Sequence, residues 1–164
     1  MKFEQTYQEY FKRIYAYIYA RVMSESAADD ICSAVWQKVY EKQSYYNSAK
    51  GNISQWLFTI ARNEVNSYFR SYYIKHFFSL AEHEEAIAAK EKTPIEAISL
   101  EDDKKRLSAA MGLLDKREKD LIALKFYSSL NNREIALLCS LSESNVGTII
   151  SRGLNKIRKV MEAL

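Results

Sequence analysis

Between Gln43 and Lys75 the chain gathers Tyr45, Tyr46, Asn47, Lys50, Asn52, Trp56, Arg62, Asn63, Tyr68, Arg70, Tyr72, Tyr73 and Lys75, against a single acidic residue, Glu64. Aromatic rings stack on bases, amides pair with base edges and cations follow a phosphate backbone. The mixture suits nucleic acid held out of its stack. Aromatics at helical spacing more often fill a core, and Trp36, Trp56, Phe58 and Ile60 are expected there. The loop tyrosines, Asn52, Thr59, Arg62 and Asn63 are better placed for contact.

A second group lies near the C-terminus. Residues 131–139 read as a short helix, Ser140-Leu141 as a turn, and a long helix begins at Ser142. Val146, Ile150, Gly153 and Ile157 fall on one stripe that packs inward. The opposite face carries Ser144, Asn145, Thr148, Arg152, Lys156 and Lys159. This is the helix-turn-helix pattern. Short polar side chains at the start of the second helix reach base edges in a major groove, while Arg152, Lys156, Arg158 and Lys159 neutralise phosphates. The plainer alternative is a helical hairpin whose charged face is merely solvated.

Catalytic chemistry finds little footing. The two histidines, His76 and His83, have no HExxH pattern and no cysteine beside them, so a zinc site lacks ligands. No Gly-rich phosphate loop and no nucleophilic serine motif occur. We expect a non-enzyme with no cofactor and no metal.

The elements that must carry these groups are helices. Apolar residues recur at helical spacing from Lys2 to about Val22, and Ser26 with Asp29 predicts a capped second helix through Ile31, Val35, Trp36 and Val39. QSYYNSAKGN (43–52) reads as a loop. Ile53, Trp56, Leu57, Ile60, Ala61 and Val65 define a third helix. Thr93-Pro94-Ile95-Glu96 predicts a helix start leading to about Leu114. Asp115 with Glu118 and Asn131 with Glu134 start two more, and Ser142 caps the last. No stretch reads as a strand.

Composition agrees. The chain has 164 residues, one proline and four glycines, is 48% hydrophobic and 27% charged, and carries a net charge of +3. So little proline and glycine excludes a turn-rich β fold, and no apolar run is long enough to span a bilayer. The charged N-terminus is unlike a signal peptide, which predicts a cytoplasmic protein. Cys32 and Cys139 read as reduced core residues. Residues 1–75 and 115–164 each carry a net +3 and flank a segment of −3 at 76–114, and nineteen of the twenty-one aromatics lie at or before Phe78. We therefore expect an all-α chain of two small domains: 1–75, an acidic linker at 76–105, and a helix-turn-helix domain at 106–164.

The same motifs follow the pattern of a known family. LDKREKDLIALKFYSSLNNREIALLCSLSESNVGTIISRGLNKIRK (114–159) resembles the promoter-binding domain of bacterial sigma factors. WLFTIARNEVNSYFR (56–70) resembles the strand-separating helix of their extracytoplasmic-function (ECF) class, and AADDICSAVW (27–36) is similar to its polymerase-docking helix. The resemblance implies a factor that directs core RNA polymerase to promoters. It implies polymerase contact by Asp29, Asp30, Ser33, Trp36 and Gln37. It implies capture of the melted −10 element by Tyr45, Tyr46, Asn47, Lys50, Asn52, Thr59, Arg62, Asn63 and Arg70. Binding of the −35 element then falls to Ser144, Asn145, Thr148, Arg152, Lys156 and Lys159. Members of this class are commonly held by an anti-sigma protein, a candidate partner here beside the polymerase and promoter DNA; membrane insertion is not expected. In the family such an acidic linker threads polymerase channels, where Glu82, Glu84, Glu85, Glu101, Asp102 and Asp103 would mimic RNA charge; a charged helix that is merely solvated is the plainer reading of these residues. The sequence departs from the family pattern at Ser33-Ala34, where Gln-Glu is usual, at Ser67 for Asp, and at Ser140 for Gly. The rival reading, a stand-alone helix-turn-helix regulator, leaves the Trp56–Arg70 segment unexplained.

Overall fold

The computed structural model describes residues 2–82 and 100–163. Among these residues there are seven α-helices, one 3-10 turn and no strand: α1 (Phe3–Val22), α2 (Glu25–Lys42), the turn Gln43–Tyr45, α3 (Ile53–Glu82), α4 (Leu100–Gly112), α5 (Lys116–Tyr127), α6 (Asn132–Cys139) and α7 (Glu143–Ala163). The architecture is all-α, a three-helix unit followed by a four-helix unit that ends in a helix-turn-helix.

Local chemistry sets most boundaries. α1 ends where Met23 turns left-handed, at φ 55°, and its N–H returns to the Tyr19 carbonyl. α2 starts earlier than Ser26 predicts, because Ser24 is the cap: its hydroxyl accepts the Ala27 N–H. Asn52 caps α3 by accepting the Gln55 N–H at 2.8 Å. α3 then continues to Glu82, past the domain boundary expected at residue 75. The Thr93-Pro94 start lies outside the described residues. α4 stops at Gly112, just short of Leu114. Both predicted capping boxes form, Asp115 with Glu118 and Asn131 with Glu134, each side chain satisfying the other residue's N–H. Ser140 adopts φ 55°, and Ser142 accepts the Asn145 N–H to open α7.

The first unit packs Ile14, Tyr17 and Ile18 of α1 against Val35 and Val39 of α2 and Leu57, Phe58, Ala61 and Val65 of α3, all fully buried. The second closes Leu121, Leu124, Ile135 and Val146 around α5, α6 and α7. The inward stripe of α7 is as expected, with Val146, Ile150 and Gly153 buried. These two groups are not separate cores. They run into one apolar cluster across the face where α1 meets α5.

Candidate nucleic-acid interface

The loop after α2 presents its side chains unevenly. Tyr45 is 81% exposed, whereas Tyr46 leans on Trp56, ring centroids 5.5 Å apart, and its hydroxyl donates to the Gly51 carbonyl. Asn47 Oδ1 accepts the Ala49 N–H at 2.9 Å, which folds the loop back on itself. Lys50 and Asn52 are exposed at its end. Along α3, Thr59, Asn63 and Arg70 are exposed, one face of the helix. The Thr59 hydroxyl donates to the Gln55 carbonyl at 2.7 Å. Glu64, the lone acid of the segment, is engaged by Lys38 of α2 at 2.5 Å, so its charge does not oppose a nucleic-acid backbone.

On α2, Asp29, Asp30, Ser33 and Gln37 are exposed and follow one another at helical spacing. The Ser33 hydroxyl donates to the Asp29 carbonyl, and Gln37 donates to Glu41 at 3.0 Å. Trp36 departs from that group. It is 6% exposed, with Tyr7 and Phe3 edge-on to its ring at 4.7 and 6.1 Å. An apolar ring on the inner stripe gains more from burial than from exposure, so Trp36 props α2 from inside.

On α7, Ser144, Asn145, Thr148, Arg152 and Lys159 are exposed along the outer face, as the spacing predicts. The Thr148 hydroxyl donates to the Ser144 carbonyl at 3.0 Å, which ties down its side chain. Lys156 sits at the edge of this face and ion-pairs with Glu118 of α5 at 2.8 Å.

Arg62 and Asn52 are the surprises. Arg62 Nε donates to Asp120 Oδ2 at 2.7 Å, and Asn52 Nδ2 donates to Glu134 Oε1 at 2.8 Å. Both acceptors belong to the second unit. Burial opposes the charge on Arg62, but the Asp120 carboxylate beside it holds its pKa above the ordinary value. Asp120 Oδ1 also accepts from Arg21 at 2.5 Å and from the Tyr17 hydroxyl at 2.8 Å. Burial, reinforced by the Asp120 charge, raises the Tyr17 pKa well above the ordinary phenol and keeps it a proton donor. Tyr17, Arg21 and Asp120 escape a reading of sequence alone. The signal they leave is slight: Arg21 falls one turn after Tyr17 and Ile18 on a buried stripe, where a cation is out of place.

Known proteins share both the sequence pattern and the fold. The pattern of Sigma-70 region 2 matches residues 6–73, and that of Sigma-70 region 4 matches residues 104–157. The ECF RNA polymerase sigma factor SigM of Bacillus subtilis is 21% identical over 159 residues, covering 96% of this chain and 94% of SigM. BldN of Streptomyces coelicolor, also an ECF sigma factor, is 23% identical over 97% of this chain, and the chain spans 60% of BldN's length. Two solved structures share the fold. The sigma factor RpoE of Bartonella quintana, in complex with the anti-sigma factor NepR, superposes with a TM-score of 0.78 at 22% identity, covering 98% of this chain and 96% of that one. CnrH, in complex with the cytosolic domain of CnrY, gives a TM-score of 0.69 at 16% identity, over 98% and 88% of the two chains.

Two regions in this order, on helices that hold these exposed groups, define a sigma factor of the sigma-70 family. Within that family the chain belongs to the ECF class, as its relatives do.

Proposed function

We propose that this chain docks on core RNA polymerase, carries it to promoters of a particular sequence, and opens the DNA at the −10 element. Docking falls to the outer face of α2, through Asp29, Asp30, Ser33 and Gln37. Tyr45, Tyr46, Asn47, Lys50 and Asn52 of the loop, with Thr59, Arg62, Asn63 and Arg70 of α3, take the unpaired strand. The −35 duplex lies against Ser144, Asn145, Thr148, Arg152, Lys156 and Lys159 of α7. The chain divides accordingly into 1–75, a linker at 76–105 and 106–164. RNA synthesis itself belongs to the polymerase; this subunit contributes position and strand separation. It works where the polymerase works, in the cytoplasm, and among the described residues no helix is long and apolar enough to cross a membrane. An anti-sigma protein is a fitting partner, since RpoE of Bartonella quintana was solved with one.

One observation carries this reading: an exposed aromatic and amide loop stands in the same chain as a helix-turn-helix with a basic outer face. A stand-alone regulator needs only the second. Run-off transcription with bacterial core polymerase on a promoter library, with and without the chain, tests it. Chain-dependent transcripts from a sequence-defined subset are the expected result. Absence of binding to core polymerase overturns it.

A further inference from the structure

A cavity of about 670 Å³ lies where α1, α4, α5 and α7 come together, and none of the contacts assigned above uses it. Met111 and Ile122 are buried against it, while Leu107 and Phe126 are exposed at its mouth. On the α1 side the wall includes Ala16 and Ala20, whose short side chains leave the space that a larger residue would fill. No residue lining the cavity carries a charge. The only polar side-chain groups among them are the hydroxyls of Tyr19, Ser108 and Tyr127, which offer neutral hydrogen bonds alone. Small-molecule sites have volumes of about 300–1,000 Å³ and just this balance of an apolar wall with a few polar groups.

We propose that this cavity binds an uncharged, largely apolar small molecule, of roughly 15–25 non-hydrogen atoms. Charge decides the class. An ion taken into the cavity would lose its water and meet no opposite charge, so a neutral body is favoured over a carboxylate, a phosphate or an amine. Nucleic acid is excluded on the same ground, since no cation lines the wall to meet a phosphate. Burial of an apolar body covers the floor at Met111 and Ile122 and the exposed rings and chains at the mouth, which supplies the driving force. Such a molecule touches α1 of the first unit and α4, α5 and α7 of the second at once, so its binding adds to the packing between them. The site shares no residue with the proposed polymerase or promoter contacts, and it stands or falls apart from them.

The test uses the full chain and the uncharged fluorophore phenylnaphthylamine, whose emission rises and shifts to the blue in apolar surroundings. A parallel titration uses the anionic anilinonaphthalenesulfonate. The expected result is saturable binding of one neutral probe per chain, with a Kd of roughly 1–50 μM, and binding of the anion weaker by about fivefold or more. Ala16→Phe fills the cavity from α1, and Leu107→Asp sets a carboxylate at its mouth from α4. Circular dichroism checks that each variant folds, and each should weaken the neutral probe by about tenfold or more. Should Ala16→Phe fail to fold, Leu107→Asp carries the same expectation from an exposed position that the core does not need. Light scattering follows the oligomeric state throughout. A neutral-probe signal that never saturates, affinity unchanged in a folded variant, or an anion that binds as tightly as the neutral probe overturns the proposal. So does a dimer that Leu107→Asp dissociates, because the face is then an interface between copies of the chain.

Discussion

Tyr45 and Asn63 are the residues on which strand capture is most cleanly tested, because neither side chain is needed to hold the fold: Tyr45 is 81% exposed and Asn63 is exposed on α3. Base–aromatic stacking contributes about 1–3 kcal/mol per base. Tyr45→Ala and Asn63→Ala should each slow open-complex formation on duplex promoters roughly tenfold, with a smaller loss on templates carrying a pre-opened bubble; equal losses on both templates count against melting. Promoter opening followed by a fluorescent base reads this out. The two thiols make a different kind of claim. Burial pushes Cys32 and Cys139 up to about 11 from an ordinary 9.0, aided for Cys32 by the Asp29 charge and for Cys139 by Asp120, while Arg62 pulls Cys139 the other way. At pH 8 their thiolate fraction should fall roughly a hundredfold below that of a free cysteine, and alkylation followed by mass spectrometry should slow in proportion until denaturant is added. Because the folded thiols hold their protons more tightly than the unfolded ones, their contribution to stability is complete below pH 9 and is lost as the pH climbs toward 11. Tyr17, raised by burial in the same way, adds to that loss. Thermal melts between pH 8 and 11 should show the midpoint falling only above pH 9.

At the scale of elements, the turn between α6 and α7 and the seam between α5 and α7 are the sensitive points. Ser140 sits at φ 55°, where a side chain is strained and glycine is not. Its N–H still closes the end of α6 onto the Ala136 and Leu137 carbonyls. Ser140→Gly should stabilise the chain by about 0.5–1 kcal/mol, measured as a shift in the urea midpoint without a change in slope. Gly153 is needed for the opposite reason. A Cβ there meets Ile122 Cδ1 at 2.5 Å and Glu118 Cβ at 3.6 Å, so α7 lies close on α5 because this position has no side chain. Gly153→Leu should destabilise by about 2 kcal/mol, since Ile122 is itself buried and has little room to yield. Both positions are visible in the sequence as a turn and as a point on the inward stripe. How closely the backbones approach is not.

For the whole molecule, the proposed −35 contact predicts that the outer face of α7 sets how DNA binding responds to salt. Arg152 and Lys159 are exposed and have no acidic partner among the ion pairs of the described residues, whereas Lys156 shares its charge with Glu118. Each phosphate contact contributes about 0.9 to the slope of log affinity against log salt. Removing Arg152 and Lys159 together should therefore flatten that slope by about 2 for −35 duplex DNA, measured by anisotropy on the chain with core polymerase. An unchanged slope places the duplex on another face. The helix-turn-helix, the capping boxes and the outer face of α7 are legible in the order of residues, because each depends on groups within a few turns of one another. The burial of Trp36 and the capping of α2 by Ser24 are partly legible: the periodicity is right, but Ser24 and Ser26 compete for one cap, and only packing selects between them.

Sequence by itself settles that the chain is helical, where most helices start, which stripes turn inward and which polar groups are left outside, since hydrophobic period and end-capping are local chemistry. The tertiary structure alone decides that Arg62 and Asn52, read as free hands for a nucleic acid, hold Asp120 and Glu134 instead. Fifty-eight residues separate Arg62 from Asp120, and 82 separate Asn52 from Glu134, and no periodicity reaches across such distances. A charge on a helix face looks the same in sequence whether water or a carboxylate completes it; only the packing of α1 and α3 against α5 and α6 supplies the second partner.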